Sequence, residues 1–105
     1  MSYDFELQTP NETSLSGTSR NYTSNVGAIL TKALEMNIHD CNGKKGCELN
    51  SIFLKAISNI LNNRNEYKKL EPENGWGSVD GVLELLVFYQ GWFYEEPDMI
   101  FTISC

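Results

Sequence analysis

Seven apolar residues, Leu49, Ile52, Phe53, Ala56, Ile57, Ile60 and Leu61, follow one another at alternating steps of three and one, the i, i+3, i+4 pattern. That spacing predicts an α-helix with one continuous apolar stripe, and the stripe has to be buried against something else in the chain. Each large side chain that it buries fully contributes about 1.5–3 kcal/mol. Replacing Ile57 or Ile60 with Ala is therefore expected to cost several times what a surface change does.

The rest of the chain must supply the cover. Tyr3-Asp4-Phe5-Glu6-Leu7 alternates apolar and polar residues and predicts a half-buried strand. Met99-Ile100-Phe101-Thr102-Ile103, β-branched and aromatic, predicts a second strand able to pair with the first. Gly17 to Ser24 is polar enough to be a loop. A first helix is expected from Thr23-Ser24-Asn25, all good N-cap types, with Val26, Ile29, Leu30, Ala33 and Leu34 at helical spacing and Asn37 as its stop. Asn42-Gly43 marks a turn, and a short helical turn is expected around Glu66 to Leu70. Pro72-Glu73-Asn74-Gly75-Trp76-Gly77 is a loop by composition. Ser78 then caps a third helix running to about Tyr94, ahead of Pro97. The expectation is an α+β fold of order β-α-α-α-β, three helices packed on a small sheet made by the terminal strands. At 105 residues there is room for a single domain, residues 1–105, with one core.

Three cysteines, Cys41, Cys47 and Cys105, are an odd number with no Cys-x-x-Cys, which argues against a secreted disulfide scaffold. Met1-Ser2-Tyr3-Asp4-Phe5-Glu6 has neither the basic start nor the apolar run of a signal peptide. The longest apolar stretch, Val82 to Tyr94, falls short of the roughly 20 residues a bilayer requires. The expected compartment is the cytoplasm, with no membrane contact, and the triplets Asn11-Glu12-Thr13 and Asn21-Tyr22-Thr23 are then coincidental matches to a glycosylation signal.

The net charge is −6, and its placement is informative. All eight Lys and Arg lie between Arg20 and Lys69, whereas Leu70 to Cys105 holds seven acids and no base. This argues against nucleic acid as a ligand, because phosphate neutralisation needs Lys and Arg on the contacting face. An acidic face of this kind either keeps the chain soluble or meets a basic protein.

The third predicted helix is too apolar to serve one core. Val82, Leu83, Leu86, Tyr89 and Phe93 supply an inward stripe, but Val87, Phe88 and Tyr94 fall on the opposite side with Glu84 and Glu95, and Trp92 lies at the border. Aromatic clusters rimmed by charge are typical of interfaces. Val87, Phe88, Trp92, Tyr94, Glu84 and Glu95 are thus the candidate partner-binding residues, for a homodimer or a foreign protein. The plainer alternative is that Phe88 and Trp92 pack under the segment Gln8 to Arg20.

Catalytic motifs are missing: there is no Gly-rich phosphate loop, no Gly-x-Ser-x-Gly and no His-Glu-x-x-His. His39, the one histidine, neighbours Asp40 and Cys41, but sequence neighbours on a loop rarely face each other as nucleophile and base. With Cys47 they form at most a loose ligand pair where zinc needs four ligands. No enzyme, metal or cofactor is expected. Two segments stand out instead. Asn21-Tyr22-Thr23-Ser24-Asn25 and Asn74-Gly75-Trp76-Gly77-Ser78 each combine amides with an aromatic and lead into a helix N-terminus, where free N–H donors favour anions. If the two lie side by side, Asn21, Tyr22, Asn25, Asn74, Trp76 and Ser78 could hold a small nucleotide-like anion, making the chain a sequestering protein. The alternative gives Trp76 a place in the core, Gly75 and Gly77 a turn, and Asn25 and Ser78 a capping role.

With Asn21-Tyr22-Thr23-Ser24-Asn25-Val26, the Gly-rich turn before the Ala56-Ile57 helix, and Tyr67-Lys68-Lys69-Leu70-Glu71-Pro72-Glu73-Asn74-Gly75-Trp76-Gly77, the chain resembles a set of short uncharacterised proteins of bacteria and their phages. The resemblance runs from about Tyr22 to Pro97, and Asn-Gly-Trp-Gly is its most specific part. It implies a bacterial or phage origin and a compact cytosolic protein, and no reaction. This chain departs from the pattern at Val87, Phe88 and Tyr94, where that set tends to carry Lys and Glu. The expected function is a non-catalytic protein that docks on another protein, of inhibitor, immunity or phage anti-defence type.

Overall fold

Alternation along the first residues builds the middle of the sheet. In the computed structural model, which describes Ser2–Ser104, strand β1 (Ser2–Gln8) buries Tyr3, Phe5 and Leu7 and turns Asp4 to solvent. Strand β3 (Ile100–Ser104) runs antiparallel on one side of β1, with Phe5 opposite Ile103 and Leu7 opposite Phe101. The two end strands therefore pair. A third strand, β2 (Arg20–Thr23), lies antiparallel on the other side, so the sheet order is β2-β1-β3. The expectation of a loop through Gly17 to Ser24 is corrected here. Tyr22 stands opposite Tyr3 and Arg20 opposite Phe5, whereas Asn21 faces Asp4. With four residues, two of them exposed and two half-buried, β2 lacks the alternation that reveals a strand in sequence.

Helix α1 (Gly27–Leu34) follows a 3-10 turn at Ser24–Val26. Helix α2 (Gly46–Asn62) carries the stripe, short α3 (Arg64–Lys68) buries Tyr67, and α4 (Val79–Glu95) corresponds to the third predicted helix. The fold is α+β, with four helices where three were expected. Leu49, Phe53, Ala56 and Ile60 are fully buried, Ile52 and Ile57 only half, and Leu61 is 57% exposed because α2 ends one residue later. The equal weight given to Ile57 and Ile60 is corrected accordingly.

One buried cluster joins sheet and helices. Its centre is aromatic: Phe53 meets Phe93 edge-on at 4.9 Å, Tyr89 meets Phe101 at 5.2 Å, and Phe5 stacks on Phe101 at 5.7 Å. Gly46 lets α2 approach the end of α4, since a Cβ there would come within 3.1 Å of the Phe93 Cα. The segment between β1 and β2 is bound to this core by two side chains. The Tyr89 hydroxyl donates to the Thr18 carbonyl at 2.7 Å, and the buried Thr18 hydroxyl oxygen accepts from the Leu7 N–H at 3.1 Å.

The two sheet edges differ. The outer edge of β3 is covered by the turn before α2: Gly43 N–H donates to the Phe101 carbonyl, Phe101 N–H to the Lys44 carbonyl, and Ile103 N–H to the Asn42 side chain, all within 2.9 Å. The outer edge of β2 pairs with no strand or loop among the described residues.

Candidate functional site

Helix α4 joins the two groups of residues singled out in the sequence. Ser78, before its first turn, caps it by accepting from the Gly81 N–H at 3.0 Å. Val79 N–H donates to the Glu71 carboxylate at 2.8 Å, and Ser78 N–H donates to the Tyr22 hydroxyl at 3.0 Å. Tyr22 is thus a bolt between β2 and the start of α4. A Cβ on Gly81 would lie 1.9 Å from its hydroxyl oxygen. These contacts use up N–H donors that an anion would need, and Glu71 already supplies the negative charge favoured at a helix start.

Beside this junction lies an open depression of about 660 Å3. Asn21, Tyr22 and Asn25 form one wall and Asn74, Gly75 and Trp76 the other, so the structure brings five of the six sequence-selected ligand residues together. Ser78 is the sixth and is occupied as a cap. Trp76 is 68% exposed, which corrects the alternative that placed it in the core. Its loop is set by Gly75 and Gly77, at φ +76° and +103°, and by the Asn74 side-chain oxygen, which accepts from the Trp76 N–H at 2.9 Å. Only glycine adopts such φ values freely, and at Gly77 a Cβ would also lie 2.5 Å from Val26. Asn25 does not cap. That role belongs to Thr23, whose hydroxyl accepts from the Asn25 N–H.

The outer face of α4 carries the other group. Val87 and Tyr94 are 52% and 71% exposed, and Glu84 and Glu95 are exposed beside them. Phe88 and Trp92 are half-buried, Phe88 on the flank that faces β2. Two shallow hollows follow that flank. The first, about 240 Å3, lies between Arg20-Tyr22 and Gly81, Leu85 and Phe88. The second, about 340 Å3, is formed by Phe88, Gly91, Trp92 and Glu95. The plainer alternative therefore holds for Phe88, which the Arg20 guanidinium covers at 3.8 Å, and both Phe88 and Trp92 pack partly against the core, whereas Val87 and Tyr94 stay exposed.

Of the residues considered for catalysis, Cys41 is held away from its reactive form. Cys41 is fully buried, and burial, reinforced by the Asp40 charge, pushes its thiol from an ordinary 9.0 up to about 11, away from the thiolate that nucleophilic or metal chemistry requires. His39 is exposed on the same turn, its ring edge-on to Tyr3 at 5.8 Å. Among the described residues no three His, Cys, Asp or Glu side chains converge on a point that could hold a metal ion, and no helix is long and apolar enough to cross a membrane.

Sequence reasoning missed two contributors. Arg20 and Leu85 line the first hollow beside Phe88, and the signal for Arg20, its register opposite Phe5, exists only once β2 is known. No protein-family model matches the chain, and neither a curated protein nor a solved structure matches it significantly.

Proposed function

We propose that this chain is a non-catalytic binding protein that docks on another protein through the outer face of α4. The observation that carries this reading is Gly91. A glycine inside a helix costs about 0.5–1 kcal/mol relative to alanine. At Gly91 nothing lies within 4 Å of where a Cβ would stand, so packing within the described chain does not require it. It occupies the exposed face midway between Val87 and Tyr94, with Phe88, Trp92 and Glu95 around it, and opens a notch in an apolar strip. A notch of this kind fits an apolar side chain from a partner brought close to the helix backbone.

Charge defines the partner's border. Glu84 and Glu95 are exposed along α4, whereas Asp80 is already paired with Arg64 of α3, and no Lys or Arg occurs after Lys69. The complementary face is apolar at its centre and basic at its rim, with charges that steer encounter and aromatic anchors that hold it. Occupying such a face is how an inhibitor or immunity protein acts.

The test uses the exposed residues, whose replacement leaves the core intact. A photo-crosslinking side chain at position 94, in cells making the full chain, is expected to capture one protein, and Val87→Glu is expected to abolish that capture while leaving the melting temperature unchanged. Crosslinks that Val87→Glu does not alter contradict the proposal. A product of exactly two copies of this chain replaces the foreign partner with a homodimer.

A further inference from the structure

We infer that the depression beside Trp76 is a binding site for an uncharged saccharide, separate from the docking face of α4. Its lining defines the ligand by what it offers and what it lacks. None of the residues around it (Asn21, Tyr22, Thr23, Asn25, Asn74 and Trp76 among them) carries a charged side chain. The carboxylates nearest in the bonding pattern are engaged: Asp4 accepts from the Asn21 amide at 2.7 Å, and Glu71 accepts from the Val79 N–H at 2.8 Å. Among the described residues an anion would find no cation in that lining, and it would meet the negative field of a chain with net charge −6. The ligand is therefore neutral.

Trp76 supplies an indole held out into solvent, 68% exposed, on a loop whose turn two positive-φ glycines permit and in which the Asn74 oxygen accepts from the Trp76 N–H. A large apolar ring kept in water offers a stacking platform for a ligand with one flat, apolar face. Around it are primary amides with capacity to spare. The Asn25 side chain makes no hydrogen bond to the described residues. Asn74 uses only its oxygen, leaving both N–H donors, and Asn21 uses only its nitrogen, leaving its oxygen. A carboxamide places donor and acceptor side by side, which matches adjacent hydroxyls, each at once donor and acceptor. Tyr22 cannot close over the ligand as a second plate, because its hydroxyl holds the Ser78 N–H. A site with one stacking face, an amide edge and an open side suits a pyranose ring in a chain better than a nucleobase, which gains most from being enclosed on both faces. The volume, about 660 Å3, falls within the range of about 300–1,000 Å3 common for small-molecule sites.

The experiment is a titration of the uniformly 15N-labelled full chain with cellotriose and tri-N-acetylchitotriose as neutral probes and adenosine monophosphate as an anionic one. The expected result is a saturable displacement of the Trp76 indole and the Asn25 and Asn74 amide signals by at least one trisaccharide. Trp76→Ala is expected to abolish it, Asn25→Ala to weaken it five-fold or more, and the Trp92 indole signal to stay in place. Both replaced side chains are exposed, and an unchanged spectrum elsewhere verifies the fold of each variant. No saturable displacement by either sugar, or displacement that survives Trp76→Ala, overturns the inference. Binding of adenosine monophosphate at the same residues overturns its charge argument.

Discussion

At the scale of single residues, Gly81 and Tyr22 act as a pair, and neither can be understood alone. A helix gains about 1 kcal/mol when glycine becomes alanine, yet a Cβ on Gly81 would strike the hydroxyl that the Ser78 N–H donates to. Gly81→Ala is therefore expected to destabilise the protein. In a Tyr22→Ala background the same change should become neutral or stabilising by up to about 1 kcal/mol. Urea denaturation of the four variants checks the reversal of sign, and additive effects would show that the two residues do not touch. Gly91→Ala, with open space around it, should stabilise by about 0.5–1 kcal/mol with no such coupling. Cysteine reactivity separates along the same lines. Cys41 is enclosed and its thiol raised to about 11, whereas Cys47 is exposed on the first turn of α2. At pH 8, iodoacetamide should modify Cys47 at least ten times faster than Cys41, as peptide mapping by mass spectrometry would show. Equal rates would mean that the turn at Ile38–Cys41 opens freely.

At the scale of elements, the segment between β1 and β2 is tied to α4 by one buried hydrogen bond. Tyr89→Phe removes the donor to the Thr18 carbonyl and leaves that oxygen without it, at a cost of about 1–2 kcal/mol. Faster hydrogen exchange confined to residues 9–19 is the expected signature, and an unchanged exchange pattern would contradict it. How much of the fold could be read beforehand also divides by element. The stripe of α2 and the inward residues of α4 were legible, because burying one face leaves a period of 3.6 in the sequence. So was the pairing of the end strands, whose alternation or β-branching marks them. β2 was hidden, since an edge strand with two exposed residues needs no alternation, and its partner lies at a register that only the folded chain defines. The amide and aromatic residues of the two helix starts were recognisable by type. That the N–H donors there are taken by Tyr22, Glu71 and Ser78 was not, because Tyr22 lies 56 positions before the Ser78 it holds. Gly91 was visible as a letter, but its meaning depends on the empty space around it.

At the scale of the whole molecule, the core is aromatic and shared by every layer. Phe101 stands within 6 Å of Phe5, Phe53, Tyr89 and Phe93, so Phe101→Ala should cost about 3–5 kcal/mol, against a typical total of about 5–15 kcal/mol. Calorimetry should show the cooperative transition moved to a markedly lower temperature. The core also sets the response to alkali. Burial raises the acid groups of Cys41, Tyr67 and Tyr89 above their ordinary values. Each therefore stabilises the fold fully below its unfolded-state value and progressively less above it, because the unfolded chain ionises first. Stability should fall above pH 9, by at most about 1.4 kcal/mol per pH unit for Cys41 up to about pH 11, and Cys41→Ala should flatten the first part of that decline. With the core so complete, Val87 and Tyr94 are left outside it, on the exposed face that also carries Gly91. The most direct measurement is photo-crosslinking from position 94 in living cells, with position 68 on the exposed side of α3 as the control. The account predicts one protein product from position 94, absent from position 68 and lost with Val87→Glu at unchanged thermal stability. The same products from both positions, indifferent to Val87→Glu, would contradict it.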